Sequence, residues 1–155
     1  DVTGKLLLAH TASTMGIICA EAIAGLPARK LDYRMIPRAT YTQPQVASFG
    51  YTEKQAQEAG YNVRTGKFPF MANGKALGYG ESAGYIKIVI DENNNQLLGA
   101  SLVGADVSEL LPELTLAQAN GLPVEAITQN IHAHPTLSEV LMEAAEAAVG
   151  HAIHL

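Results

Sequence analysis

The fold class is decided by Tyr85-Ile86-Lys87-Ile88-Val89-Ile90, a strongly β-forming run of β-branched and aromatic residues. It is followed by the turn-forming run Asp91-Glu92-Asn93-Asn94-Asn95 and then by a second apolar run from Gln96 to Val103. Two such runs joined by a short polar turn are typical of a β-hairpin. The hairpin predicts an antiparallel sheet.

Shorter extended segments precede the hairpin and support the same sheet. Tyr33 to Pro37, Gln45 to Gly50 and Asn62 to Phe70 are each predicted to form a strand, because turn residues separate them. Thr52 to Gly60 is predicted to form an exposed helix that begins at a capping residue and ends at glycine. Gly78 to Ala83 matches a G-x-G-x-x-A pattern, but a strand follows it and no apolar strand precedes it, so a turn is predicted instead of a dinucleotide site.

Helical patterns occur at both ends of the chain. Beyond the hairpin, Asp106 offers a cap and an apolar stripe follows it until Gly121. Near the start, apolar residues recur at three- and four-residue steps and predict an amphipathic helix that stops at Gly25 and Pro27. Those residues are Leu8, Ala9, Ala12, Met15, Ile18, Cys19, Ala22 and Ile23. Cys19, the single cysteine, is predicted to be buried and inert within this stripe.

Length and charge restrict the function classes. A chain of 155 residues can hold one core, or one domain with an appendage. The net charge of -5 is mild and no basic patch is visible, which argues against a nucleic-acid partner. No apolar stretch reaches the roughly 20 residues that span a bilayer, and no secretory signal is present. We therefore expect no membrane partner, and a parent protein that is cytoplasmic or in the matrix of an organelle.

The chemistry of the chain is concentrated in His132-Ala133-His134-Pro135-Thr136-Leu137-Ser138-Glu139. Three interpretations compete. Thr136 and Glu139 form T-x-x-E before an apolar run, the pattern of a capping box, and the histidines are then ordinary loop residues. Alternatively, His132, His134 and Glu139 are metal ligands, although no further ligand follows at a recognisable spacing. In the third, His134 is a general acid/base that Glu139 holds and makes more basic.

This stretch resembles the C-terminal active-site motif of the flavin-dependent pyridine nucleotide-disulfide oxidoreductases, and in particular of their dihydrolipoamide dehydrogenase branch. Other parts of the chain resemble the same family in the same order. They are Asp1 to His10, Glu21 to Gly25, Tyr41 to Ala47, Gly66 to Phe70 and Leu98 to Ala100. His132, the first histidine of the motif, is usually lacking in relatives that reduce glutathione-type disulfides. Mercury-reducing relatives carry a C-terminal cysteine pair that this sequence lacks. Both differences favour the lipoamide branch.

The resemblance implies an α+β fold in which an antiparallel β-sheet is flanked by helices and preceded by one helix. Residues 1–31 would be the end of an FAD-binding domain, and residues 32–155 the dimerisation domain. The domain would form a homodimer in which His134 takes a thiol proton and Glu139 orients it. Both would act on the flavin and disulfide of the partner subunit.

The resemblance also implies cofactors and partners. The whole enzyme would use FAD and NAD and would oxidise lipoyl domains of 2-oxo acid dehydrogenase or glycine cleavage complexes. The Asp1 carboxylate would bind the flavin's ribityl chain, and the backbone of Leu7, Leu8, Ala9 and His10 would meet its ring. By itself the fragment is expected to lack turnover and to bind no cofactor and no metal. The alternative is a free-standing, non-enzymatic dimerising or metal-binding module.

Overall fold

The computed structural model describes residues 1–154. The chain divides into two compact units, Asp1–Ile36 and the residues from Pro37 onward. The first unit contains one helix, α1 (Ala9–Ile23), which ends before Gly25, a residue with a φ of +71°. The predicted helix and its end are therefore confirmed. The assignment of residues 1–31 to an FAD-binding domain stays a prediction.

Two predictions in this unit are wrong. Cys19 is exposed, because the apolar periodicity of α1 does not by itself provide residues that cover this side chain. The segment from Tyr33 to Ile36 forms turns and a bend instead of a strand. The reason is local, since the Asp32 carboxylate accepts a hydrogen bond from the backbone N–H of Arg34 at 2.9 Å and its carbonyl accepts one from Met35 at 3.1 Å.

The second unit is built on a five-stranded sheet in the order β1-β2-β5-β4-β3, and every neighbouring pair is antiparallel. Its strands are β1 (Arg38–Thr40), β2 (Gln45–Gly50), β3 (Val63–Pro69), β4 (Tyr85–Asp91) and β5 (Leu97–Gly104). The predicted hairpin of β4 and β5 is present and lies inside the sheet. The predicted antiparallel sheet flanked by helices is confirmed.

Five helices belong to the described part of this unit, residues 37–154: α2 (Glu53–Glu58), α3 (Gly74–Tyr79), α4 (Val107–Ala119), α5 (Glu125–Thr128) and α6 (Glu139–Val149). A short 3₁₀ turn, Phe70–Ala72, precedes α3, and sequence analysis predicted neither of them. Gly78 lies in the last turn of α3 and Gly80 closes the helix in a left-handed conformation, so the G-x-G-x-x-A pattern begins at the end of a helix and precedes a strand. That order is the reverse of a dinucleotide-binding turn.

The core lies between the sheet and its longer helices. Ile86, Ile88 and Leu102 are fully buried, and α6 packs on β3 and β4 while α4 packs on β2 and β5. On the opposite face, α2 covers a smaller cluster of Ala56, Val89 and Leu98. The sheet thereby holds both α4 and α6, and α5 contacts each of them, so these helices support the loop between α5 and α6. Within residues 1–154, none of the helices combines the length and the apolar character needed to cross a membrane.

Candidate active site

The loop between α5 and α6 brings together the two residues that the sequence singled out. His134 Nδ1 lies 2.8 Å from Glu139 Oε1, and Glu139 is the first residue of α6. The second oxygen, Oε2, accepts a hydrogen bond from the backbone N–H of Thr136 at 2.8 Å. One carboxylate therefore joins the start of the helix to the imidazole in front of it.

The predicted capping box is half formed. Glu139 bonds to the Thr136 N–H as the box requires, but Thr136 is not the N-cap, because α6 begins at Glu139 after Ser138. The Thr136 hydroxyl instead donates to the carbonyl of Ala133 at 2.7 Å and lies 2.9 Å from the Ser138 hydroxyl. The threonine thus closes the loop around His134 instead of capping the helix.

The two partners differ in exposure, and the difference has a chemical consequence. The His134 side chain is 77% exposed and that of Glu139 is 20% exposed. Because a carboxylate only accepts hydrogen bonds, the proton of a neutral His134 ring lies on Nδ1. Nε2 then carries the lone pair, and it makes no hydrogen bond within residues 1–154. The geometry is that of an oriented base with its basic nitrogen open to an incoming group.

The same contacts decide the charge of Glu139. Burial alone would raise the pKa of its carboxyl group, but hydrogen bonds from the Thr136 N–H and from His134, with the nearby charge of the two histidines, outweigh it. The pKa of Glu139 is therefore lowered from its usual value of 4.5. An ionised Glu139 is the form that can stabilise a proton on the imidazole.

His132 has a different role from His134, although only one residue separates them. Its side chain is 3% exposed, and Nε2 lies 3.0 Å from Glu113 Oε1 on α4, while Nδ1 lies 2.9 Å from the carbonyl of Asn130. Both ring nitrogens are thus engaged by the protein, which leaves neither for a metal ion. Within residues 1–154, no three His, Cys, Asp or Glu side chains are grouped to hold a metal.

A distant residue that sequence analysis did not identify also holds the loop. Asn73 is 5% exposed, and its amide donates to the carbonyl of Thr136 at 3.1 Å. Its side-chain oxygen accepts from the Ala76 N–H at 2.9 Å and so caps α3. The N-cap preference of asparagine before a short helix is the one local signal that could have drawn attention to it.

The predicted FAD-contacting residues lie in the first unit. Asp1 is exposed, and its carbonyl accepts a turn hydrogen bond from Gly4 at 2.9 Å. Leu7 is 63% exposed and Leu8 is the extended N-cap residue of α1, so Ala9 and His10 begin the helix. Their contact with a flavin stays a prediction.

Glu139 is expected to stabilise the domain less as the pH falls. Because its folded-state pKa is lowered, its contribution to the free energy of unfolding is fully present well above pH 4.5 and is lost as the pH falls through the folded-state pKa. Urea unfolding of the wild-type chain and of Glu139→Gln at a series of pH values measures this contribution. The difference between the two should shrink on acidification, and a constant difference from about pH 6 to about pH 3 would contradict the assignment.

The chain matches a known class of domain. Residues 36–145 match the pyridine nucleotide-disulphide oxidoreductase dimerisation domain, so the chain belongs to that family. The family resemblance inferred from the sequence is thereby confirmed.

The chain is similar to named members of the class. It is 54% identical over 155 residues to the dihydrolipoyl dehydrogenase of Mycobacterium leprae, covering 99% of this chain and 33% of the relative. The dihydrolipoyl dehydrogenase of Corynebacterium glutamicum is 53% identical, with 99% and 34% covered. The chain spans about one third of the length of these relatives. The matches do not favour a free-standing, non-enzymatic module.

Solved structures support the same grouping. LpdA from Mycobacterium tuberculosis superposes with a TM-score of 0.87 at 25% identity, covering 92% of this chain and 31% of that one. The HOCl-induced flavoprotein disulfide reductase RclA from Escherichia coli superposes with a TM-score of 0.88 at 27% identity, covering 94% and 34%. Both values indicate the same fold.

Proposed function

We propose that this chain is the dimerisation domain, with the preceding segment, of a dihydrolipoyl dehydrogenase. In that enzyme it supplies His134 and Glu139 as the acid/base pair. The single observation that carries the proposal is an imidazole held at Nδ1 by a carboxylate at 2.8 Å while its other nitrogen faces outward. The identity of 54% to a dihydrolipoyl dehydrogenase supports that activity within the family.

The proposed step is a proton transfer from a thiol of dihydrolipoamide. The S–H bond breaks, its proton passes to Nε2 of His134, and the electron pair stays on sulfur as a thiolate. The new imidazolium is stabilised by the ionised Glu139 at Nδ1. The thiolate can then attack a disulfide, with the displaced sulfur taking up the electron pair. The chain has one cysteine, so in this proposal the disulfide is supplied from outside residues 1–155.

The whole enzyme is proposed to use FAD and NAD, which carry the electrons away from the reduced disulfide. The residues of the first unit fit one edge of a flavin. The first turn of α1 has no side-chain cap and no acidic residue, so its backbone N–H groups and positive helix end suit an electron-rich ring oxygen. Asp1 and Leu7 to His10 would hold that edge only. We therefore expect residues 1–155 by themselves to bind FAD weakly or not at all.

The separation of His134 from the disulfide also supports a homodimer. Residues 1–155 contain one cysteine, so in this proposal His134 serves a disulfide that another segment presents, and the matched family model is a dimerisation domain. We propose that the pair acts across a two-fold axis on the partner subunit. Ile131, next to His132, is 95% exposed, which supports an interface near the loop. Lipoyl domains of 2-oxo acid dehydrogenase or glycine cleavage complexes are the proposed substrates.

The proposal is tested on the full-length protein that carries this chain. We expect it to contain FAD and to form NADH from NAD and dihydrolipoamide. This rate is compared with the rate of NADPH-dependent reduction of glutathione disulfide under the same conditions. The second rate should be negligible. A faster reaction with glutathione disulfide, or no formation of NADH from dihydrolipoamide by flavin-loaded protein, would contradict the proposed substrate.

A further inference from the structure

We propose that Glu113, Asn130 and His132 form a positioning cluster that ties the loop of residues 130–138 to α4 and thereby aims His134. The inference rests on the proposed function, because it assigns a role to groups that act through His134. None of the three is expected to contact the substrate. Their effect is on where the Nε2 atom of His134 lies.

Each residue of the cluster contacts the other two. Nε2 of His132 lies 3.0 Å and 3.2 Å from the two carboxylate oxygens of Glu113, and the Asn130 side-chain amide donates to Glu113 Oε1 at 3.1 Å. Nδ1 of His132 lies 2.9 Å from the Asn130 carbonyl. Glu113 therefore contacts the start of the loop at two residues, Asn130 and His132, which lie 17 and 19 positions further along the chain.

The chemistry of the ring strengthens the cluster. Both nitrogens of His132 face oxygen atoms that only accept hydrogen bonds. A neutral imidazole has one N–H and can satisfy only one of them, so the cluster is fully bonded when the ring carries both protons. Glu113 is then its counter-ion. The His132 side chain is 3% exposed, so its contact with Glu113 is shielded from water.

The loop is anchored on both sides of His134. Before it, His132 is fixed by Glu113; after it, the Thr136 carbonyl accepts from Asn73, and the Thr136 hydroxyl donates back to Ala133. Between these anchors the His134 side chain is 77% exposed. The buried His132 fixes the backbone two residues before the exposed His134. This arrangement limits the motion of the His134 ring. Loss of the first anchor should misplace Nε2 without removing it.

The test uses the full-length protein and the variant Glu113→Ala. We expect kcat with dihydrolipoamide to fall roughly 10-fold to 100-fold, the range that a displacement of about 1 Å can cost, with KM and FAD content nearly unchanged. Glu113→Gln keeps an acceptor oxygen for His132 and should lose less, and it carries the test if the alanine variant fails to fold. Glu109→Ala, an exposed glutamate one turn earlier on α4, is the matched control and should retain wild-type kcat.

A double variant separates positioning from general stability. If Glu113 acts through His134, Glu113→Ala should cause no further loss in a His134→Gln background, because there is no longer a base to aim. Losses that multiply in the double variant would overturn the inference, as would unchanged kcat in Glu113→Ala while His134→Gln is impaired. Unchanged turnover in His134→Gln itself would instead overturn the proposed function.

Discussion

His134→Gln in the full-length protein is expected to reduce turnover of dihydrolipoamide by roughly 10²-fold to 10⁴-fold, the usual contribution of a positioned general base. The amide N–H of glutamine can donate a hydrogen bond to Glu139, as the imidazole does, but glutamine cannot take up a thiol proton at neutral pH. Because the His134 side chain is 77% exposed and outside the core, the fold and the flavin content should be unaffected. Steady-state formation of NADH, with absorbance of the bound flavin, measures both.

The accompanying variant and control make the interpretation specific. Glu139→Gln should cost less than His134→Gln, because the imidazole remains but its charged partner is lost. His151→Gln is a matched control, since that side chain is also 77% exposed and has a glutamate, Glu146, 4.0 Å away. Small and equal losses of turnover in His134→Gln and Glu139→Gln would contradict the proposal. They would show that Glu139 only caps the start of α6 and that His134 has no part in the reaction.

The sheet was predictable because its information is local. The β4–β5 hairpin is encoded by apolar runs and the turn between them, and β2 was predicted with its observed bounds, Gln45–Gly50. The helix at Thr52 was equally readable, since Thr52 and Gln55 form both bonds of a capping box. Where the local pattern misled, at Tyr33 to Pro37, a side-chain turn at Asp32 competed with the strand.

The site was predictable only in part, for a physical reason. His134 and Glu139 are five residues apart, so one motif contains the whole pair. The groups that hold the motif come from elsewhere in the fold: Glu113 lies on α4, and Asn73 is 63 residues from Thr136. No spacing rule links such positions, because the sheet brings them together. Burial of Cys19 failed as a prediction for the same reason, since it depends on what covers α1 and not on the periodicity of α1.

Gly66→Ala is expected to destabilise the second unit by about 3 kcal/mol or more, at the upper end of the cost of overpacking. Gly66 lies in β3, opposite Ile88, where α6 crosses the sheet. A Cβ atom there would lie 2.0 Å from the carbonyl oxygen of Ala144 and 2.3 Å from the backbone nitrogen of Ala148. These are backbone atoms of a helix, so no side-chain rotation can relieve the clash. The midpoint of urea unfolding measures the effect.

Gly78→Ala is the matched control, because that glycine lies in α3 with nothing within 4 Å of an added Cβ. It should leave stability unchanged or raise it by up to about 1 kcal/mol, as expected for glycine in a helix. The Gly66 variant has a second expected effect. Since α6 must move away from β3 and begins at Glu139, the contact between Glu139 and His134 should be disturbed in any molecules that still fold. Wild-type stability in Gly66→Ala would contradict this prediction, because it would show that α6 can move away from β3 without cost. The close contact of Gly66 with Ala144 and Ala148 would then not be what positions Glu139 next to His134.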